Sequence, residues 1–578
     1  FAARTRMMGT PSNALAPQAL GDDEESEETT EDEEEADREE DNGDSALAPP
    51  ACAGWKITRP DGTVSAFDAL GFIRYKEDRQ GHRTTYVYDT DYNLVQVKSP
   101  SGKVLNITMD EKCRITQIEL PDGNILRYEY DENGNLVQYT NAMGDTRRYE
   151  YDEKHRMTAW YDEKGNCITK NVYDDQDRVV SQTDALGSTA TLAYSDGCTV
   201  VTDNRGNTSS YYYDGRGRTI LIEYEDGTTC SYTYNAEGYQ ETATDELGNT
   251  TSYTYDENGN ILTETREDGS GSSYTYNELS LPLTATDYEN YTSSFTYDEV
   301  GNLLAMTDGE GNTTTYGYDE LSRLVSITDA NGGTESYTYD GHGNMLSVNA
   351  TNGLITQFNY DILDNLIKVT LPSGLSTSYA YDEMGNVTSM VDTMGRMTTY
   401  TYDIEGNMTS LTDAMDRKEQ MTYDAGGRQT SYTSNGGNRI DYDYDVLNDL
   451  VEKSYEDERD PEGKEGVVYG YDVMGQRVSM MDRSGESSYE YDGLGRITKV
   501  TTGSGETTTY EYGINDMLSR LTYPDGKSVS YEYDLNDNLT QVTDRTGGVT
   551  TYVYDAINRV TEIHRPNGIS TYNTYNAR

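Results

Sequence analysis

The sequence predicts an all-β protein: tandem 21-residue antiparallel β-hairpin repeats forming a long twisted strip, coiled into an open hollow shell. Three observations carry this. An aromatic, nearly always followed by Asp or Asn, recurs from Phe67 to Tyr575, with Met109 as a variant, and twenty of the 24 intervals between these 25 anchors are 21 residues. Around each anchor, polar and aromatic residues alternate with period 2, the period of a strand. The aromatic content is 53 Tyr against 5 Phe and 2 Trp. Such side chains combine a large apolar ring with a hydroxyl that reaches water or backbone, which suits half-buried sheet.

In chain order, residues 1–53 show no period. Residues 22 to 44 hold 16 acidic residues against one Arg38, and Ala48-Pro49-Pro50 follows. This composition reads as an acidic disordered linker. The repeat array runs from 54 to 578. In one unit, Thr314, Tyr316 and Tyr318 fall on one face of a first strand, and Asp319 to Arg323 is a turn in which Asp accepts backbone N–H groups. Leu324 to Thr328 is a second, β-branched strand closed by another Asp-x-x-Gly turn. Sister units place Gly in the first turn, as in Asp131-Glu-Asn-Gly134 and Asp256-Glu-Asn-Gly259. The longest interval, 27 residues between Tyr444 and Tyr471, contains a charged insertion at about 455–466 that reads as an exposed loop.

Repetition of the register lets the Tyr pairs of neighbouring units align as ladders. About 24 units of two strands, at about 4.8 Å per strand, would extend on the order of 230 Å if flat. Strands twist, so such a strip curls around a space rather than running straight. The last strand near Tyr575 is expected to present an unpaired edge that a continuation would cover.

The motif Tyr-x-Tyr-Asp-x-x-Gly-Asn/Arg, spaced at 21, resembles the Rhs/YD repeat family over residues 54 to 578. Tyr253, Tyr255, Asp256 and Gly259 carry it, as do Tyr316, Tyr318 and Asp319, then Tyr379, Tyr381, Asp382 and Gly385, then Tyr489, Tyr491, Asp492 and Gly495. The resemblance implies a β-strip wound into a hollow shell, as in bacterial polymorphic toxins, toxin-complex proteins and teneurins. In the bacterial relatives it implies a shell that encloses a C-terminal toxin released by a self-cleaving core. No Asp-Pro-x-Gly-Leu core signature occurs here, and the repeats run to the last residue.

Other chemistry finds little purchase in the sequence. A formal net charge of −58 repels phosphate backbones and anionic membranes, so no nucleic-acid partner is expected. No 18-residue apolar run exists, and no membrane insertion is expected. The five cysteines, Cys52, Cys113, Cys167, Cys198 and Cys230, form no C-x-x-C. His82, His155, His342 and His564 sit at unrelated phases of the repeat. In Asp131 and Asp256 loops Gly arrives too early for an EF-hand and strands flank the turn. Hence no catalytic residue, metal site or cofactor is expected. The reading is a non-enzymatic, secreted or cell-surface shell segment that encapsulates or delivers a C-terminal toxin. Its partner would be the continuation of its own polypeptide, core and toxin domain. The alternative is a cell-surface adhesin or carbohydrate-binding stalk, in which the Tyr rings stack on sugars.

Overall fold

The computed structural model describes residues 54–59, 62–456 and 465–576. Among these there is no helix, and fifty strands, β1 (Trp55–Thr58) to β50 (Ser570–Tyr572), form one antiparallel sheet. Each strand touches only its neighbours in sequence, so β1 and β50 each pair on one side only. The acidic segment 1–53, expected as a disordered linker, lies outside the described residues.

Within a unit the strands follow the alternation. In β26 (Thr313–Tyr318) and β27 (Leu324–Thr328), Tyr316 faces Ile327 and Gly317 faces Ser326, but Tyr318 faces Leu324. Val325 is skipped, which makes a β-bulge. The same shift recurs opposite the second tyrosine in nearly every unit, for example at Tyr255, Tyr381 and Tyr491. The bulge was not anticipated from a period of 2. Its cause is legible nonetheless: Leu324 and Ile327 are three apart, and only an extra residue puts both on the tyrosine face.

Nearly every turn is a three-residue loop between a bonded pair. Asp319 N–H donates to Arg323 O and Ser322 N–H donates to Asp319 O, at 3.0 Å each. The third loop residue takes the left-handed conformation, with φ 55° at Ser322 and 83° at Gly259. Two short intervals are absorbed by tighter hairpins, in which Ser195 pairs with Cys198 and Asp482 with Gly485. The insertion is narrower than expected at both ends. β39 (Leu450–Glu456) and β40 (Glu465–Tyr471) pair Tyr455 with Glu465 and Ser454 with Gly466, so alternation continues as strand past 455 and resumes before 466. Residues 457–464 lie outside the described residues.

Among the described residues no large side chain is completely buried. The sheet is a single layer with no second layer to close a core, in contrast to ordinary domains. Its stability therefore comes from backbone ladders and half-buried side chains repeated along the strip.

The strip meets itself. Second turns in the first half of the array contact first turns in the second half. His82 Nε2 lies 2.7 Å from Leu321 O, Asn536 Nδ2 donates to Asp287 Oδ2 at 2.8 Å, and Arg559 pairs with Glu310 at 2.9 Å. The hydrogen-bonded separations run from 239 to 271 residues, which at 21 residues per unit is about twelve units. The sheet therefore coils through two rounds. A round of about 24 strands has a circumference of about 115 Å and a backbone diameter of about 37 Å, leaving hollow space inside.

Candidate functional site: the repeat turn and the seam between rounds

The conserved pattern within the chain is a bonding unit rather than a reactive one. Asp256 Oδ1 accepts the backbone N–H groups of Asn258 and Asn260 at 2.9 Å, while Oδ2 accepts the Asn260 amide at 2.8 Å. Asp382 does the same with Met384, Asn386 and the Asn386 amide. Asp319 and Asp492 hold Arg323 and Arg496 in place of Asn, with Nε to Oδ2 at 2.7 and 2.8 Å. Hydrogen bonds from Asn260 hold the Asp256 carboxyl below its usual range. At Asp110, the Arg114 side chain and backbone N–H lower it to about 2.

The arginine also reaches the next unit. The Arg323 guanidinium sits 5.0 Å from the centre of the Tyr339 ring and donates to Asp340 O at 2.7 Å. Arg156, Arg428, Arg496 and Arg559 stack on Tyr173, Tyr444, Tyr512 and Tyr575 in the same way.

The second tyrosine closes the bulge. Tyr339 O–H donates to Leu324 O at 2.7 Å, Tyr255 to Gln240 O at 2.7 Å, Tyr381 to Leu366 O at 2.8 Å and Tyr491 to Arg477 O at 2.7 Å. The ladder between β27 and β28 (Thr334–Tyr339) begins only at Ser326, so the bulge carbonyl of Leu324 lies beyond it and the hydroxyl takes the place of a strand partner. Burial raises the hydroxyl pKa of Tyr255, Tyr339, Tyr381 and Tyr491. The first tyrosines, Tyr253, Tyr316, Tyr379 and Tyr489, instead face Glu264, Ile327, Met390 and Val500 across the strand pair. Sequence reasoning missed this division of labour. The signal was present: Phe295, Phe358 and Met421 stand at the first position, whereas the second is Tyr at 23 of 25 anchors. Gly385 and Gly495 take φ of 83° and 73° in their turns.

At the seam, cations of the first round bridge carboxylates of the second. Lys164 Nζ contacts Asp403 at 2.9 Å and also Glu405. Arg205 holds Asp445 and, at 3.0 Å, Asp449, while Arg266 meets Asp537 at 3.3 Å and Lys103 meets Asp364. Burial works against ionisation of Asp403, but Lys164 and Asn407 outweigh it and hold the carboxyl low. Glu405 goes the other way: burial, together with the nearby Asp162 carboxylate, raises it although Lys164 opposes. Glu405 is therefore the carboxyl that takes a proton first, while Lys164 stays charged.

Of the expected isolated residues, His82 is drawn into the seam. Cys113, Cys167, Cys198 and Cys230 are free thiols, and Cys52 lies outside the described residues. Among the described residues, no group of three His, Cys, Asp or Glu is placed to hold a metal ion.

The profile of the Teneurin YD-shell family matches residues 63–229 and 447–577, just over half of the chain. The chain belongs to the YD-shell family. Between those stretches of the shell, the RHS repeat profile matches 234–270 and, in overlapping copies, 297–414. Among solved structures, the YD-shell chain is similar to the crystal structure of TcdB2-TccC3-TEV, with a TM-score of 0.58 and 13% identity over 87% of this chain and 37% of that one. It is similar also to the Photorhabdus luminescens Tc holotoxin pore carrying TccC3-D651A, with a TM-score of 0.55, 13% identity, and the same coverage of 87% and 37%. A third is TcdB2-TccC3 without the hypervariable C-terminal region, with a TM-score of 0.53, 13% identity, and coverage of 87% and 38%. The YD-shell chain thus spans little more than a third of those structures. At this identity the likeness shows the shared fold. No curated protein matches the chain.

Proposed function

We propose that the chain is a non-catalytic wall segment of a hollow container for a polypeptide cargo, with a toxin region continuous with its own C-terminal side as that cargo. The observation that carries this reading is the coil itself: one sheet, wound through two rounds whose turns meet, encloses space. The side chains singled out in the repeat are spent on wall construction, since Asp and Arg close turns and tyrosine hydroxyls bond bulge carbonyls. The solved neighbours support it, one being a toxin pore and another lacking a hypervariable C-terminal region. The same likeness supports a secreted or cell-surface setting.

A sugar-binding stalk draws less support, because second-position rings such as Tyr339 and Tyr444 are covered by arginines and tied by their hydroxyls.

The test is a fusion of an unstructured, protease-sensitive reporter after Arg578. Enclosure predicts cleavage at least about tenfold slower than in the free reporter, as local opening then limits access. Equal rates with an intact β-sheet signal would overturn the container reading.

A further inference from the structure

We propose that the shell opens along the seam between its rounds, turn parting from turn while every strand ladder stays paired. The wall has two kinds of connection. Within the strip, each strand is bonded along its length to the next, without a break among the described residues from β1 to the insertion and from β40 to β50. Between rounds, among the described residues, no strand pairs with another and the contacts are turn to turn. The seam is thus the line along which the rounds separate without loss of a backbone ladder.

Its charge runs mainly one way, with Arg559 against Glu310 as the reverse case. Second turns of the first round supply cations at Lys103, Lys164, Arg205 and Arg266, and first turns of the second round supply carboxylates. Between Thr229 and Thr433 charge lies mainly in the turns. On the threonine face of the strands from Thr229 to Thr433, hydroxyl pairs such as Thr254–Thr263 and Thr286–Thr292 dominate. In a chain of net charge −58, the seam therefore presses two acidic rows of turns together, with a few cations between them. These ion pairs are half-buried and so only partly screened, and reversing a bridging cation replaces attraction with repulsion on both sides.

Packing supports the same line. Leu186 and Leu247 of the first round lie against Gly426 and Gly493 of the second, where an added Cβ would sit 3.2 and 3.4 Å from them. Elsewhere the rounds stand apart: a crevice of about 1050 Å³ separates Asp122 and Met143 from Ile362 and Glu383. The seam is already incomplete there, between the Lys103–Asp364 and Lys164–Asp403 contacts.

The inference rests on the container reading for its purpose only, since an empty shell parts along the same line. Its experiment accordingly uses the chain without cargo. In K164E/R205E, small-angle scattering should show a larger radius of gyration than the native chain, with the far-UV circular dichroism of the sheet unchanged. A staple then tests the location. A Cβ built on Gly309 lies 3.4 Å from the Ala556 Cβ, at the short end of disulfide geometry. With G309C/A556C added, oxidation should reduce the expansion and reduction should restore it. A reversal variant as compact as the native chain overturns the proposal. So does expansion that comes with loss of the sheet signal, or expansion that a titrated, fully formed disulfide leaves unchanged. If the disulfide does not form, Leu247→Asp supplies the second arm: expansion with intact sheet supports the seam, and an unchanged radius overturns it.

Discussion

Replacing Tyr339 with Phe isolates the hydroxyl that completes the bulge. The ring and its contact with the Arg323 guanidinium remain, while the 2.7 Å bond to Leu324 O is lost. That carbonyl lies beyond the β27–β28 ladder, so no strand neighbour can take over. A neutral hydrogen bond contributes about 1 kcal/mol net, and a part-buried acceptor left unmet adds some of its desolvation cost, so the expected loss is about 1 to 1.5 kcal/mol. The same change at Tyr381, Tyr402 and Tyr423 removes equivalent bonds to Leu366, Val387 and Met408. With near-additive effects, the fourfold variant should lose about 4 to 6 kcal/mol. Urea unfolding followed by circular dichroism reads this as a fall in midpoint. Tyr212→Phe is the control, because its hydroxyl meets the exposed Glu223 carboxylate at 2.8 Å and no backbone carbonyl of a bulge. If the fourfold variant shifts no more than four times that control, the hydroxyls do not hold the bulges and the argument fails.

The turn conformation makes opposite demands on two residues. Gly259→Ala should destabilise by about 1 to 3 kcal/mol, since φ is +83° and the new Cβ would fall 2.6 Å from the Tyr239 ring, whereas Ser322→Gly should be neutral or stabilising by up to about 1 kcal/mol; thermal melts of the pair check both signs. Alkaline pH should unfold the array: burial raises the second-position tyrosines above their unfolded value of 10.0, so stability present below pH 10 is lost as pH rises toward their folded values, readable as coincident phenolate absorbance and loss of sheet signal. The seam should be tightest in mild acid. His82, Glu405 and Asp449 are raised, so their contribution is full below their unfolded values and lost as pH rises through the folded ones, while Asp364 and Asp403 are lowered, so theirs is lost as pH falls below about 3.8. A radius of gyration that is smallest in mild acid and grows on either side checks it. Removing the aromatic ladder, Tyr316 and Tyr318 both to Ala, should cost several kcal/mol through lost half-buried ring area, and an unchanged melting temperature would show the rings to be dispensable.

What could be read from residues alone is what depends on neighbours in sequence. The 21-residue register, the two strands per unit and the Asp-x-x-Gly turns follow from alternation, from side chains that bond their own backbone, and from residues that accept positive φ. Even the bulge was written locally, in the three-residue spacing of Leu324 and Ile327, and the role of the hydroxyl in the contrast between the two tyrosine positions. The charged insertion was located but its edges were not, because Tyr455 and Gly466 are strand residues only by virtue of pairing across the gap. The tertiary structure alone decided the length of a round and the direction in which its edges meet. About twelve units separate Lys164 from Asp403 and Glu405, or Arg205 from Asp445. That distance is the accumulated result of a small twist and bend at each of about 24 strand pairs, and no single repeat encodes it. Lys164 and Asp403 each occur in an ordinary turn, and they become partners only because the curvature between them sums to one full round.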